Sequence, residues 1–301
     1  MTRTIDICIC TFRRPELTDL LASLSQINVP SETQPKIIVI DNDDTDMARA
    51  RVQAAQMPFP LTYLHVPGRN ISIARNAALA AAQAEFAAFL DDDETVTPNW
   101  LLALVAAADR DRADVVFGPV VSVYPDHAPN WIVRGDYHSK KPPPDGASLT
   151  TGYTSNVLMR RSAPALEGLS FAPDLGRSGG EDTIFFRQVN SRGGHLTFAQ
   201  DAVVLEKVHP DRLSLRWLVN RKFRSGQSHA RAFLETMSSR NITWLRLCAT
   251  GATKGAYCAV RAAMHPLDRD RRYFWIIRGA LHAGVVVHCF GGRKQVLYGQ
   301  T

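Results

Sequence analysis

Four short runs that are mostly apolar, each followed closely by a polar residue, set the limits on the fold. They are Ile5–Cys10, Lys36–Ile40, Leu61–Val66 and Phe86–Leu90. Segments with helical spacing lie between them, at about Pro15–Leu24, Asp46–Gln56 and Ile73–Ala84, and a further one, Trp100–Asp109, follows the fourth run. Strand-length runs alternating with helices predict a mostly parallel sheet covered on both faces. In such sheets ligands collect at the carboxyl ends of the strands. Thr11, Asp41 and Asp91 stand at those ends.

The rhythm breaks after Val115–Val121. A Pro-, Asp- and Lys-rich stretch, 124–151, predicts a long loop of the kind that is either functional or disordered. Order resumes over Gly152–Arg161, a flexible turn is expected at Gly176–Gly180, and from Leu215 the chain reads as helices only. These patterns divide the chain into an α/β domain, 1–230, and a basic amphipathic helical region, 231–301.

Charge separates the same two parts. From Lys207 onward there are 17 Lys and Arg against 4 Asp and Glu, whereas residues 1–206 carry 18 against 25. An acidic front and a basic back face different partners. Five scattered cysteines, none in a CxxC pair, suit a reducing cytoplasm better than a disulfide framework. The N-terminus lacks the apolar core of a signal peptide, so no secretion is expected, and no run reaches the length of a spanning helix.

Four constellations carry chemistry. Asp91-Asp92-Asp93-Glu94 follows a buried strand, where adjacent carboxylates repel unless a cation or strong donors offset them. In an extended segment Asp91 and Asp93 point the same way, and hard oxygen donors so spaced suit Mg²⁺ or Mn²⁺ shared with a diphosphate. A solvated acidic turn is the other reading. Asp41-Asn42-Asp43-Asp44 is either an Asx turn or a base- and ribose-binding edge. Gly68–Asn76 opens a helix in which Arg75 can reach an anion, or which is simply capped. Gly179-Gly180-Glu181-Asp182 offers either an acidic helix start or a carboxylate that takes a proton from an acceptor hydroxyl.

The order of these elements is more informative than any one of them. Thr11-Phe12-Arg13-Arg14-Pro15, Val39-Ile40-Asp41-Asn42, Ala74-Arg75-Asn76, Leu90-Asp91-Asp92-Asp93 and Gly180-Glu181-Asp182 resemble, in this sequence, the family-2 inverting glycosyltransferases of the GT-A fold. The likeness covers about residues 4–230 and is strongest to bacterial exopolysaccharide glucosyltransferases of the succinoglycan type. It implies that Thr11, Arg13, Asp41, Arg75, Asp91 and Asp92 receive a UDP-sugar. It further implies that Asp93 and Asp91 hold Mn²⁺ or Mg²⁺, with His209 as a candidate third ligand, and that Asp182, beside Glu181, is the general base. Asn156, in Gly152–Asn156, is expected to face the sugars.

Processive members of the family carry QxxRW. Here the matching stretch is Leu213-Ser214-Leu215-Arg216-Trp217, with Arg and Trp but no Gln. The resemblance therefore implies one sugar per encounter, with Arg216 and Trp217 on the acceptor and diphosphate side. Its acceptors are polyprenyl-diphosphate-linked oligosaccharides. That places the chain on the inner face of the cell membrane, peripheral to it. The basic stretch Arg271–Arg278 and the segment 280–290 after it suit an anionic membrane surface, or else a helical lid packed on the catalytic domain. Two rival functions are set aside. A sugar-1-phosphate nucleotidyltransferase needs a Gly-rich loop where Cys10–Arg14 stands, and a nucleic-acid-binding protein needs a recognisable module. No nucleic-acid partner is expected.

Overall fold

The computed structural model describes residues 2–144, 147–236, 239–292 and 298. These form two compact units: one from 2–121 and 139–207 together with Tyr298, the other from 122–138 and 208–292.

The first unit is built on a sheet in the order β3-β2-β1-β4-β8-β6-β9. Its strands are β1 (Arg3–Thr11), β2 (Thr33–Asp41), β3 (Leu61–His65), β4 (Phe86–Asp91), β6 (Val115–Phe117), β8 (Asn156–Arg160) and β9 (Leu196–Phe198). Pairings are parallel except at β8, which runs antiparallel to β4 and β6. The expected sheet, mostly parallel and flanked by helices, is the one found. Period-two alternation along β1 explains the layering. Ile5, Ile7 and Ile9 join the core on one face, and Cys8 and Cys10 join the core on the other. Helices α1 (Leu17–Leu24) and α4 (Trp100–Asp111) cover the first face, and α3 (Ile71–Ala81) and α6 (Glu181–Ser191) cover the second. The short α2 (Arg49–Ala54) joins the core of the first face through Val52.

Strand order reverses at β1, which has β2 on one side and β4 on the other. That reversal is a switch point, where a crevice opens at the carboxyl ends. Register brings the end residues level: Thr11 pairs with Asp41, and Cys10 with Asp91. A second sheet, β5-β10-β7, adds β5 (Glu94–Val96), β7 (Val120–Val123) and β10 (Val204–Lys207). The expected loop 124–151 is less bare than its composition implies, since it carries α5 (Asn130–Gly135).

The second unit contains α5 and three long helices, α7 (Leu215–Thr236), α8 (Arg240–Ala263) and α9 (Arg269–Cys289). α7 and α9 cross at backbone distance: a Cβ on Gly226 would fall 1.9 Å from the Leu281 carbonyl, and one on Gly284 would fall 1.9 Å from that of Phe223. Any side chain there would force the helices apart. Trp131, Ile132, Leu218 and Ile277 form its small core, and Arg134 pairs with Asp270. Ile277, Ala280, Gly284 and Val285 of α9 are buried. Among the described residues no helix is long and apolar enough to cross a membrane.

Candidate active site

The crevice at the switch point is walled by the loop after β2. Asp41 lies beneath this loop with 1 % of its surface exposed. Its Oδ1 accepts from the Asp43 amide (3.1 Å), and its Oδ2 accepts from the Ala48 amide (3.1 Å) and the Tyr63 hydroxyl (2.8 Å). Asp41 thus closes the loop from below instead of presenting an edge. Asp43, singled out by no motif, takes the Arg13 Nε–H on both oxygens at 3.0 Å. Burial pulls the Asp43 carboxyl upward, but Arg13, the Asp44 amide and Thr45 outweigh it and hold the group low. Arg13 sits at φ 56°, a left-handed conformation that non-glycine residues seldom adopt.

The acidic turn joins β4 to β5, and its side chains alternate. Asp91 and Asp93 keep 40 % and 19 % side-chain exposure, with Arg75 Nη2 at 3.4 Å from the first and Arg14 Nη2 at 3.9 Å from the second. Asp92 turns inward and accepts from the Phe12 amide at 3.3 Å. Glu94 is buried; it accepts from the Asp91 amide at 2.8 Å, and its Oε1 has no hydrogen-bond partner. Burial, then repulsion from Asp91, lifts the Glu94 carboxyl well above the ordinary range.

Burial first and Asp93 second raise Asp92 to about 7. An unfolded Asp titrates near 4, so between about pH 4 and 7 the folded chain binds the extra proton. That contribution is complete below about pH 4 and is lost as pH rises through about 7. The metal-free protein should therefore unfold at lower urea at pH 8 than at pH 5, and Asp92→Asn should flatten the profile. Equal pH dependence in both proteins, measured by urea titration, would remove this assignment.

Arg75 ties the turn to the second acidic pair. α6 starts after Gly180, whose φ of 93° lets the chain swing directly into the helix. This puts the buried Glu181 in an ion pair with Arg75 Nη1, and Arg75 Nη2 reaches Asp91. Burial raises the Glu181 carboxyl, and the guanidinium against it counters that lift. One Glu181 oxygen, Oε2, is buried without a hydrogen-bond partner. Asp182 is half-buried, and its Oδ1 accepts from the Thr183 amide (2.6 Å) and hydroxyl (3.3 Å). Tyr298, missed by motif reading, comes back to this place: its amide donates to the Arg177 carbonyl at 3.1 Å.

The expectation for Asn156 does not fit its placement and is corrected. Asn156 is fully buried. Its Oδ1 accepts from Trp100 Nε1 (2.8 Å), and its Nδ2 donates to the carbonyls of Pro119 (2.9 Å) and Ala202 (2.7 Å). The amide is fully used as a cross-brace behind the site. Asn156→Ala leaves Trp100 Nε1 and the Ala202 carbonyl without the partner they have here, while the Pro119 carbonyl keeps the Val204 amide at 3.1 Å, so it should cost about 2 kcal/mol or more in urea unfolding. Acceptor KM should stay unchanged where the variant is folded; a selective rise in that KM would restore the sugar-facing role. Beside this brace, Lys140 donates to Ser155 and lies 4.8 Å from the Tyr153 ring centre.

His209, Arg216 and Trp217 lie in the second unit. Nδ1 of His209 accepts from the Asp211 amide at 3.4 Å and lies 3.3 Å from its carboxylate. Trp217 stacks on His138 at 5.2 Å, and Arg216 is exposed. Among the described residues no three His, Cys, Asp or Glu side chains come together as a ready-made metal cage.

Residues 6–164, from β1 through the acidic turn to β8, match the profile of Glycosyl transferase family 2. The chain belongs to that family. This glycosyltransferase is 43% identical over 300 residues to the succinoglycan biosynthesis protein ExoM of Rhizobium meliloti (strain 1021), covering 99% of this chain and 96% of the relative. It is 24% identical over 242 residues to the glucosyl-dolichyl phosphate glucuronosyltransferase of Haloferax volcanii, covering 74% and 75%. The transferase superposes on the mannosyltransferase PcManGT of Pyrobaculum calidifontis, solved with GDP-Man and Mn²⁺, with a TM-score of 0.65 at 16% identity, covering 96% and 87%. S. aureus TarS 1–349 with UDP-GlcNAc gives 0.54 at 14% identity, covering 97% and 93%. The fold is GT-A, and the transferase moves a sugar from a nucleotide sugar.

Proposed function

We propose that the enzyme moves one glucosyl unit per encounter from UDP-glucose to a polyprenyl-diphosphate-linked oligosaccharide, with inversion, in exopolysaccharide or other surface-glycan synthesis. It would act from the cytoplasmic face of the membrane as a peripheral protein. The observation that carries this reading is Arg75, which draws the acidic turn and the Glu181-Asp182 pair into one crevice at the strand ends. The 43% identity to a succinoglycan biosynthesis protein supports the pathway class.

In this reading Thr11, Arg13 and the loop that Asp41 shapes receive the nucleoside, while Asp92 and Arg75 brace the diphosphate side. The donor set fits a hard divalent cation. Asp91 and Asp93 are the two outward carboxylates of the turn, and a site with two protein ligands leaves room for phosphate oxygens. They would hold Mn²⁺ or Mg²⁺, which when bound supplies positive charge opposite the diphosphate. Asp182 takes the proton from the acceptor hydroxyl as its oxygen bonds to the anomeric carbon. The bond from that carbon to the diphosphate breaks, and UDP leaves with the electron pair. Glu181 keeps Arg75 in place and stays bound to it throughout. The reading uses side chains of the first unit only.

A panel of UDP-sugars, including UDP-glucose and UDP-glucuronate, should be tested for turnover with Mn²⁺ or Mg²⁺, with and without lipid extract. One donor should be consumed only with metal, and faster with lipid extract. The product linkage, read by NMR, should have the configuration opposite to the donor. No turnover of any donor together with no UDP binding, or a product that keeps the donor configuration, would overturn the reading.

A further inference from the structure

One strip of the solvent-facing side of α8 is apolar. Ile242, Leu245, Ala249, Ala252, Ala256 and Val260 follow one another at steps of three and four, so they form one line along the helix. All six are exposed, Leu245 and Val260 to 62% and 60%. Met264 and Leu267 extend the line past the helix end, Leu267 at 98% exposure. The side of α8 that is buried carries Thr243, Gly251 and Cys258. A helix on the surface of a soluble domain shows the reverse pattern, with its polar face outward.

Charge names the occupant of this face. Arg240–Ala263 contains no Asp or Glu, and the exposed Arg246 and Lys254 lie along the polar flank. α8 and α9 together carry eight Lys and Arg against the single acid Asp270. A second copy would bring like charges together. At 24 residues α8 is about 36 Å long, which suits an extended flat surface. Its four basic residues exclude a position across the bilayer, and among the described residues no helix is long and apolar enough to cross one.

We infer that α8 docks on an anionic lipid bilayer. It lies in the interface plane with Ile242, Leu245 and Val260 among the upper acyl chains and Arg246 and Lys254 against the lipid phosphates. This deepens the peripheral-membrane part of the reading above and moves the contact from α9, where Ile277, Ala280 and Val285 are buried, to α8. The test needs no catalysis, so its failure leaves the transfer chemistry standing.

Full-length protein is floated with vesicles of phosphatidylcholine alone or with about one third phosphatidylglycerol. The protein should bind the anionic vesicles about tenfold or more tightly, and added salt should weaken that binding. L245E/V260E should lose about tenfold or more in vesicle binding with unchanged circular dichroism and unchanged UDP-sugar hydrolysis. Arg246→Gln with Lys254→Gln should remove the preference for the anionic lipid. Equal binding by L245E/V260E and wild type, or no binding by wild type, would overturn the inference. So would a dimer in solution that L245E/V260E dissociates without any vesicle binding.

Discussion

Asp93→Asn should lower sugar transfer by about 10³-fold while leaving the melting temperature within about 1 °C of wild type. Asp93 lies on the outward side of the turn with 19 % exposure, and its ion contact is Arg14 at a loose 3.9 Å, so an isosteric amide disturbs little packing. The amide keeps shape but loses the negative charge that a divalent cation needs opposite a diphosphate. Transfer rates over a Mn²⁺ titration separate outcomes. Loss that excess metal partly restores marks a ligand, and near-normal turnover at ordinary metal would sink the assignment.

The second large effect concerns stability. Arg75→Met should destabilise the first unit by about 3–5 kcal/mol, because it strands Glu181 as a buried charge without its guanidinium. In a protein of this size that corresponds to a melting temperature lower by about 10 °C. R75M/E181L removes both charges together and should recover most of the loss, while transfer stays abolished. A double-mutant cycle on urea unfolding measures the coupling. If Arg75→Met alone lies within about 1 kcal/mol of wild type, the bridge carries no energy and Arg75 acts on ligand alone. The cycle also bears on mechanism. The bridge joins residues 106 positions apart and thereby holds the acidic turn of β4 next to the start of α6.

Local patterns explain what could be read before the fold was known. Strand periodicity anticipates Asp91 and Asp93 on one side and Asp92 on the other, and the structure keeps that division although Asp92 and Asp93 stand in the turn between β4 and β5. The same alternation assigns Ile5, Ile7 and Ile9 to one core and Cys8 and Cys10 to the other. The βα rhythm forces a mostly parallel sheet, and with it the placement of Thr11, Asp41 and Asp91 at one edge. Even the turn at Gly179-Gly180 is legible, since both residues sit at positive φ, where glycine is favoured.

Residue type gives the chemistry, but not which groups are left to perform it. Asn156 looks like a sugar-facing amide until Trp100, Pro119 and Ala202, drawn from three other segments, use up its hydrogen bonds. Asp41 likewise becomes a loop anchor because Tyr63, Ala48 and Asp43 reach it first. Glu181 and Asp182 are neighbours with the same functional group. One is buried against Arg75 and the other stays half-exposed, a distinction made by where α3 and α6 stand. α8 and α9 have similar mixtures of basic and apolar residues, yet α9 spends its apolar line on α7 through Gly284 and Gly226, while α8 leaves its own facing outward. Sequence alone determined the sheet, its ligand edge and the carboxylates available there. Only tertiary structure decided which of those groups are spent on one another, because burial and hydrogen-bond satisfaction depend on neighbours that are distant along the chain.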